Sequence, residues 1–127
     1  MEIIVKISTE QQWNTAQEQG TYLHPSLDME GFIHCSTPEQ FEGVANRIYK
    51  GQQHLLLLVI DPTRLSSELK YDLAKDGQLY PHIYGPLNLD AVIRVISFSS
   101  DKKDIFPYLP NFLPCNESKV IRREVSE

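Results

Sequence analysis

The sequence predicts an α+β domain, and three observations carry that reading. Two helix-start signals, "STEQ" at Ser8–Gln11 and "TPEQ" at Thr37–Gln40, open the early part of the chain. A continuous apolar run, "LLLLVI" from Leu55 to Ile60, lies between His54 and an Asp-Pro break. After it come only short β-branched or aromatic stretches separated by glycine and proline turns. Helices early and strands late favour segregated α+β packing over the alternation that builds a doubly wound sheet.

Each element has its own signal. Glu2–Ile7 ("EIIVKI") is β-branched and apolar and suits a buried opening strand. Ser8 and Gln11 form the first expected capping box, for a helix that turns Trp13 and Ala16 inward and ends at Gly20. Thr21–Glu30 reads as a loop broken at Pro25, and Phe32–Ser36 as a short strand. Thr37 caps the second helix with Pro38 at its first position. Phe41, Val44, Ala45, Ile48 and Tyr49 then mark one helical face up to Gly51.

The apolar run His54–Asp61 predicts a central strand buried on both faces. Leu69–Leu73 and Tyr80–Tyr84 read as a strand pair around "AKDGQ", and Ala91–Phe98 as the last strand. From Ser99 the chain holds three prolines and a charged end without sustained period. The expected organisation is one domain over 1–98 and a C-terminal extension over 99–127.

Composition narrows the function. A length of 127 residues suffices for a real core, and a net charge of −5 argues against duplex nucleic acid as a partner. The longest apolar run is too short to span a bilayer. Cys35 and Cys115 form no CxxC pair and no secretory segment precedes the domain, so two reduced thiols in a cytoplasmic protein are expected.

Among four histidines, His24 beside Pro25 and His54 at a strand start read as solvated surface residues. His34 ("FIHCST") and His82 ("YPHIYG") instead interrupt apolar strands just before breaks, where clefts are commonly built. Strand parity places Tyr80 and Tyr84 on the face of His82, and Ser36 on the face of His34. The same parity turns Cys35 away from His34, which disfavours both a Cys–His nucleophile and a His–Cys metal nucleus. No metal is expected.

Taken together, "GFIHCSTPEQ", "VANRIYKGQQHLLLLVIDPTRL" and "YPHIYGPLNLDAV" resemble the signature segments of the family called domain of unknown function 952. The spacing of Trp13, Ala16, Gly20 and Tyr22 is similar too, and the resemblance runs from about Ile3 to Phe98. It implies an ADP-ribosyltransferase-like fold, a split barrel of short antiparallel strands with two helices packed early. The order of strand, helix, glycine and "FIHCS" also resembles that of RNA 2′-phosphotransferases, with His34 matching a histidine of that pattern.

The resemblance implies a cleft for a small nucleotide-like ligand, with NAD as a substrate. Lys6, His34, Ser36, Thr37, Tyr49 and Tyr84 would bind it, Lys6 offsetting phosphate charge and the tyrosines stacking on a planar ring. His34, His82 and Asp72 would be the catalytic groups, in an ADP-ribosyl or RNA 2′-phosphate transferase. Asp72 stands where the family tends to have glutamate, one methylene longer. Two rival readings stand beside this one: a ligand-binding module without turnover, and a structural or interaction domain whose histidines only tie strands together.

Overall fold

The computed structural model describes residues 2–98, so the extension from Ser99, with Cys115, lies outside the described residues. β1 (Ile4–Thr9) leads into α1 (Glu10–Gln19), the two-residue β2 (Thr21–Tyr22), α2 (Ser26–Glu30), β3 (Ile33–His34) and α3 (Pro38–Ile48). Five strands complete the described residues: β4 (Leu55–Ile60), β5 (Glu68–Leu73), β6 (Leu79–Tyr84), β7 (Leu87–Asn88) and β8 (Val92–Phe98). They form three antiparallel sheets, ordered β1-β4-β8, β3-β6-β5 and β2-β7. The architecture is α+β as expected, but among the described residues no sheet closes into a barrel.

β4 is the keel. All six of its residues are buried, and alternation sends them to two separate cores. Leu56, Leu58 and Ile60 join Ile4, Ala16, Tyr22, Ile33, Cys35 and Ile83 on one side. Leu55, Leu57 and Val59 join Val5, Ile7, Phe41, Ala45 and Phe98 on the other, where α3 packs. The Phe41 and Phe98 rings meet edge to face at 5.3 Å.

The helix signals place α3 well and α1 one residue off. Thr37 and Gln40 form the reciprocal capping box, with Pro38 at the first position. For α1 the box is Thr9 with Gln12, because β1 continues through Thr9, paired with Leu55, and keeps Ser8 buried in the sheet. Gly20 ends α1 at φ 85°, a left-handed conformation that glycine adopts without steric cost. Ile48 does not share the buried α3 face and is 57% exposed. The segment expected as a loop, Thr21–Glu30, contains β2 and a third helix, α2.

The two larger sheets meet at Val5 and Ser36. The Val5 N–H donates to the Ser36 carbonyl, and the Ser36 N–H donates to the Val5 carbonyl, each at 2.8 Å. Regular β3 pairing covers only Ile33 and His34, and Ser36 is the residue that reaches β1. This junction brings β1 of one sheet beside β3 and β6 of the other. No helix among the described residues is long and apolar enough to cross a membrane.

Candidate functional site

A cavity of about 360 Å³ lies where β1, α3 and the β3-β6-β5 sheet converge. Its floor includes Lys6. Alternation on β1 sends Ile4, Lys6 and Ser8 to one face, so a lysine occupies a position otherwise built for core. Lys6 is only 4% exposed, and no hydrogen bond or ion pair with another described residue satisfies its ammonium group. Burial lowers its pKa from the ordinary lysine value. The basic side chains of His24, His34, Arg47 and His82 also line the cavity, and no described carboxylate does.

His34 and His82 face each other across the β3–β6 pairing, with ring centroids 5.1 Å apart and planes at 77°. Each is anchored through one ring nitrogen. His82 Nδ1 lies 2.8 Å from Asp72 Oδ2, and the Tyr84 hydroxyl donates to that same oxygen. These two hydrogen bonds, Tyr84 first, hold the Asp72 carboxyl below the usual range. His34 Nε2 lies 3.1 Å from both Glu30 oxygens, and that contact holds Glu30 low as well. Phe32 stacks on His82 at 4.1 Å, with planes 16° apart, and fixes the ring from one side.

The pair is graded in depth. The side chain of His82 is 11% exposed and that of His34 is 48% exposed, so one imidazole lies inside and the other at the mouth. Anchoring Nδ1 of His82 leaves its Nε2 for the cavity, whereas anchoring Nε2 of His34 leaves its Nδ1. Cys35, next to His34, packs into the core instead. Burial pushes its thiol up to about 12 despite the opposing effect of Lys6, which makes it a poor nucleophile.

Five expected site residues therefore converge: Lys6, His34, Ser36, Tyr49 and His82 all line the cavity. Asp72 acts at one remove through His82, and Tyr84 at two through Asp72. Thr37 is absent from the lining because its hydroxyl accepts the Gln40 N–H at the start of α3. Tyr80 lines the wall and donates its hydroxyl to Asp76.

Three participants escape the sequence reading: His24, Glu30 and Arg47. His24 is half-buried rather than a surface residue, and its Nδ1 accepts the Ser26 N–H at 3.1 Å. Burial first, then Lys6 and His34, pull its pKa down to about 4. Glu30 ends α2, four residues before His34, and only the sharp turn at Gly31 (φ 91°) folds it back to that ring. Arg47, in the last turn of α3, carries no motif that separates it from an ordinary helix-end cation.

Comparisons with known proteins bear on the fold and the family. The crystal structure of protein CC0527 from Caulobacter crescentus is similar at 32% identity and a TM-score of 0.70, over 75% of this chain and 84% of that one. The solution NMR structure of CC0527 is similar at 31% identity and a TM-score of 0.72, over 92% of this chain and 100% of that one. No curated protein matches the sequence. Residues 7–95, which carry the end of β1 from Ile7, all of α3 and both site histidines, match the model described as Protein of unknown function (DUF952), and the chain belongs to that family.

Proposed function

We propose that the cavity binds a phosphate-bearing, nucleotide-like ligand, with NAD and ADP-ribose as the forms the family resemblance implies. The observation that carries this reading is the buried ammonium of Lys6, unpartnered among the described residues, in a cavity that no described carboxylate lines. A desolvated cation is costly unless paired, so the site is complementary to an anion that completes it. The protein as a whole carries a charge of −5, which makes the local basic lining more distinctive.

The remaining lining suits the rest of such a molecule. Ser36 offers a hydroxyl, while Tyr49 and Tyr80 offer aromatic surface. A volume of about 360 Å³ is at the small end of ligand sites, which run from roughly 300 to 1,000 Å³. It encloses one phosphate with its sugar more readily than a whole dinucleotide, so NAD would leave part of itself outside. An ADP-ribosyltransferase-like arrangement remains the finer fold reading, supported by the segment order and by two sheets flanking the cavity. ADP-ribosyl or 2′-phosphate transfer is the corresponding activity, in the cytoplasm, where the Cys35 thiol stays reduced.

Thermal denaturation with inorganic phosphate, AMP, ADP-ribose and NAD tests this directly. Ligands that bind the folded state alone raise the midpoint. The expected order places the phosphate-bearing nucleotides above phosphate itself, and Lys6→Met removes the shift while the protein stays folded. A midpoint unmoved by all four at millimolar concentration overturns the reading.

A further inference from the structure

We propose that His34 and His82 form a proton-transfer pair acting on a phosphate ester held at Lys6, with nucleoside 2′,3′-cyclic phosphates as the substrate class. The inference rests on the phosphate-binding reading and adds a reaction to it. Its basis is the paired geometry: two imidazoles 5.1 Å apart line one cavity, each tied through one nitrogen to its own carboxylate. That arrangement fixes both rings and leaves one nitrogen of each for the ligand. The Cys35 thiol is poorly placed as a nucleophile by comparison, since its side chain packs into the core.

The step balances with water as the only co-reactant. Water enters at the exposed side, where the Nδ1 of neutral His34 takes one proton as the water oxygen bonds to phosphorus. The bond from phosphorus to one ribose oxygen breaks, and His82, protonated at Nε2, gives that oxygen its proton. The product is a nucleoside phosphomonoester, and proton exchange with solvent resets the pair. Asp72, itself held by Tyr84, supports the His82 imidazolium, and Lys6 faces the charge on the non-bridging oxygens. A cyclic ester suits the small cavity because its leaving oxygen stays attached to the same molecule. Glu30 and Asp72 are positioning residues.

The test is hydrolysis of 2′,3′-cyclic AMP by the full chain, with binding of 3′-AMP measured in parallel. The charged or titratable groups described around the pair are Lys6, His24, Cys35, Arg47, Tyr49 and Tyr80 in the cavity lining, with Glu30, Asp72 and Tyr84 behind the two rings. A bell-shaped pH–rate profile is expected. His34→Asn and His82→Asn should each lower kcat by about 100-fold or more, while 3′-AMP still binds. Asp72→Asn should displace one limb of the profile and Glu30→Gln the other, which a merely structural role would not do. With bis(p-nitrophenyl) phosphate, whose leaving group needs no proton, His82→Asn should lose much less than it does with the cyclic ester. A protein that binds 3′-AMP yet hydrolyses neither ester overturns the proposal and leaves phosphate binding intact. One that binds no phosphate compound overturns both.

Discussion

The two three-stranded sheets are both antiparallel and do different work. In β1-β4-β8 the central strand is buried on both faces, and β1 is buried along nearly its whole length. In β3-β6-β5 the outer strand β5 is mostly exposed, and the polar groups Asp72, His82 and Tyr84 are spent on one another. One sheet stores the free energy of burial, and the other spends some exposure on arranged polarity. Lys6 is the exception, a polar residue of the second kind set into the first sheet.

The sharpest way to break the contrast is to damage each sheet in turn. Leu58→Ala, at a fully buried position of β4, should cost about 2–5 kcal/mol in a denaturant titration. Asp72→Asn should scarcely move that midpoint yet weaken ligand-dependent signals, because its partners are at the site. Equal destabilisation by both would erase the distinction.

Lys6→Met comes next and inverts the usual sign. Lys6 is a buried cation that no described residue pairs, and an apolar side chain of similar reach in its place should stabilise the free protein, by roughly 1–4 kcal/mol. The same variant should lose the nucleotide-induced rise in midpoint. A destabilised Lys6→Met would mean that the ammonium has a structural partner after all.

The difference between the sheets also explains what was legible beforehand. β4 announces itself because burial on both faces writes an unbroken apolar run, and α3 because Thr37, Pro38 and Gln40 are local chemistry. The site histidines were visible because they interrupt apolar strands. What stayed hidden depends on distant packing. "STEQQ" offers two overlapping capping frames, and only the pairing of Thr9 with Leu55 decides between them. α2, at five residues, is too short to show a helical period, so neither Glu30 nor His24 could be placed relative to Lys6.

Smaller effects sharpen the picture at the junction of the sheets. Thr37 sits where β3 gives way to α3, and Thr37→Ala should cost about 1 kcal/mol through the lost cap. It should leave ligand affinity nearly unchanged, since the hydroxyl is already committed to Gln40. A large loss of affinity at constant stability would put Thr37 back in the site.

The smallest effect expected is a slope. His24 titrates near 4 in the folded protein, against about 6.5 in an unfolded chain. The folded state therefore binds fewer protons, and stability falls as pH drops from about 6.5 towards 4, with no contribution above that window. His24→Gln should flatten this part of a midpoint-against-pH curve. Carboxylates held low, such as Asp72 and Glu30, contribute only below about 4.5, so the interval from pH 6.5 to 5 is free of them, and comparison with His24→Gln assigns the histidine's share. An unchanged slope there would place His24 in bulk solvent.

The reciprocal Val5–Ser36 hydrogen bonds have a consequence for how the molecule breathes. These amides stitch together two sheets whose strands are otherwise paired within themselves. Hydrogen exchange at such a seam reports opening between the sheets and need not wait for global unfolding. The cavity draws Lys6 from one side of the seam and His82 from the other, so an occupant that touches both acts as a clasp. The two backbone N–H groups of Val5 and Ser36 would then become a built-in occupancy gauge, exchanging with deuterium more slowly the more firmly the clasp is closed.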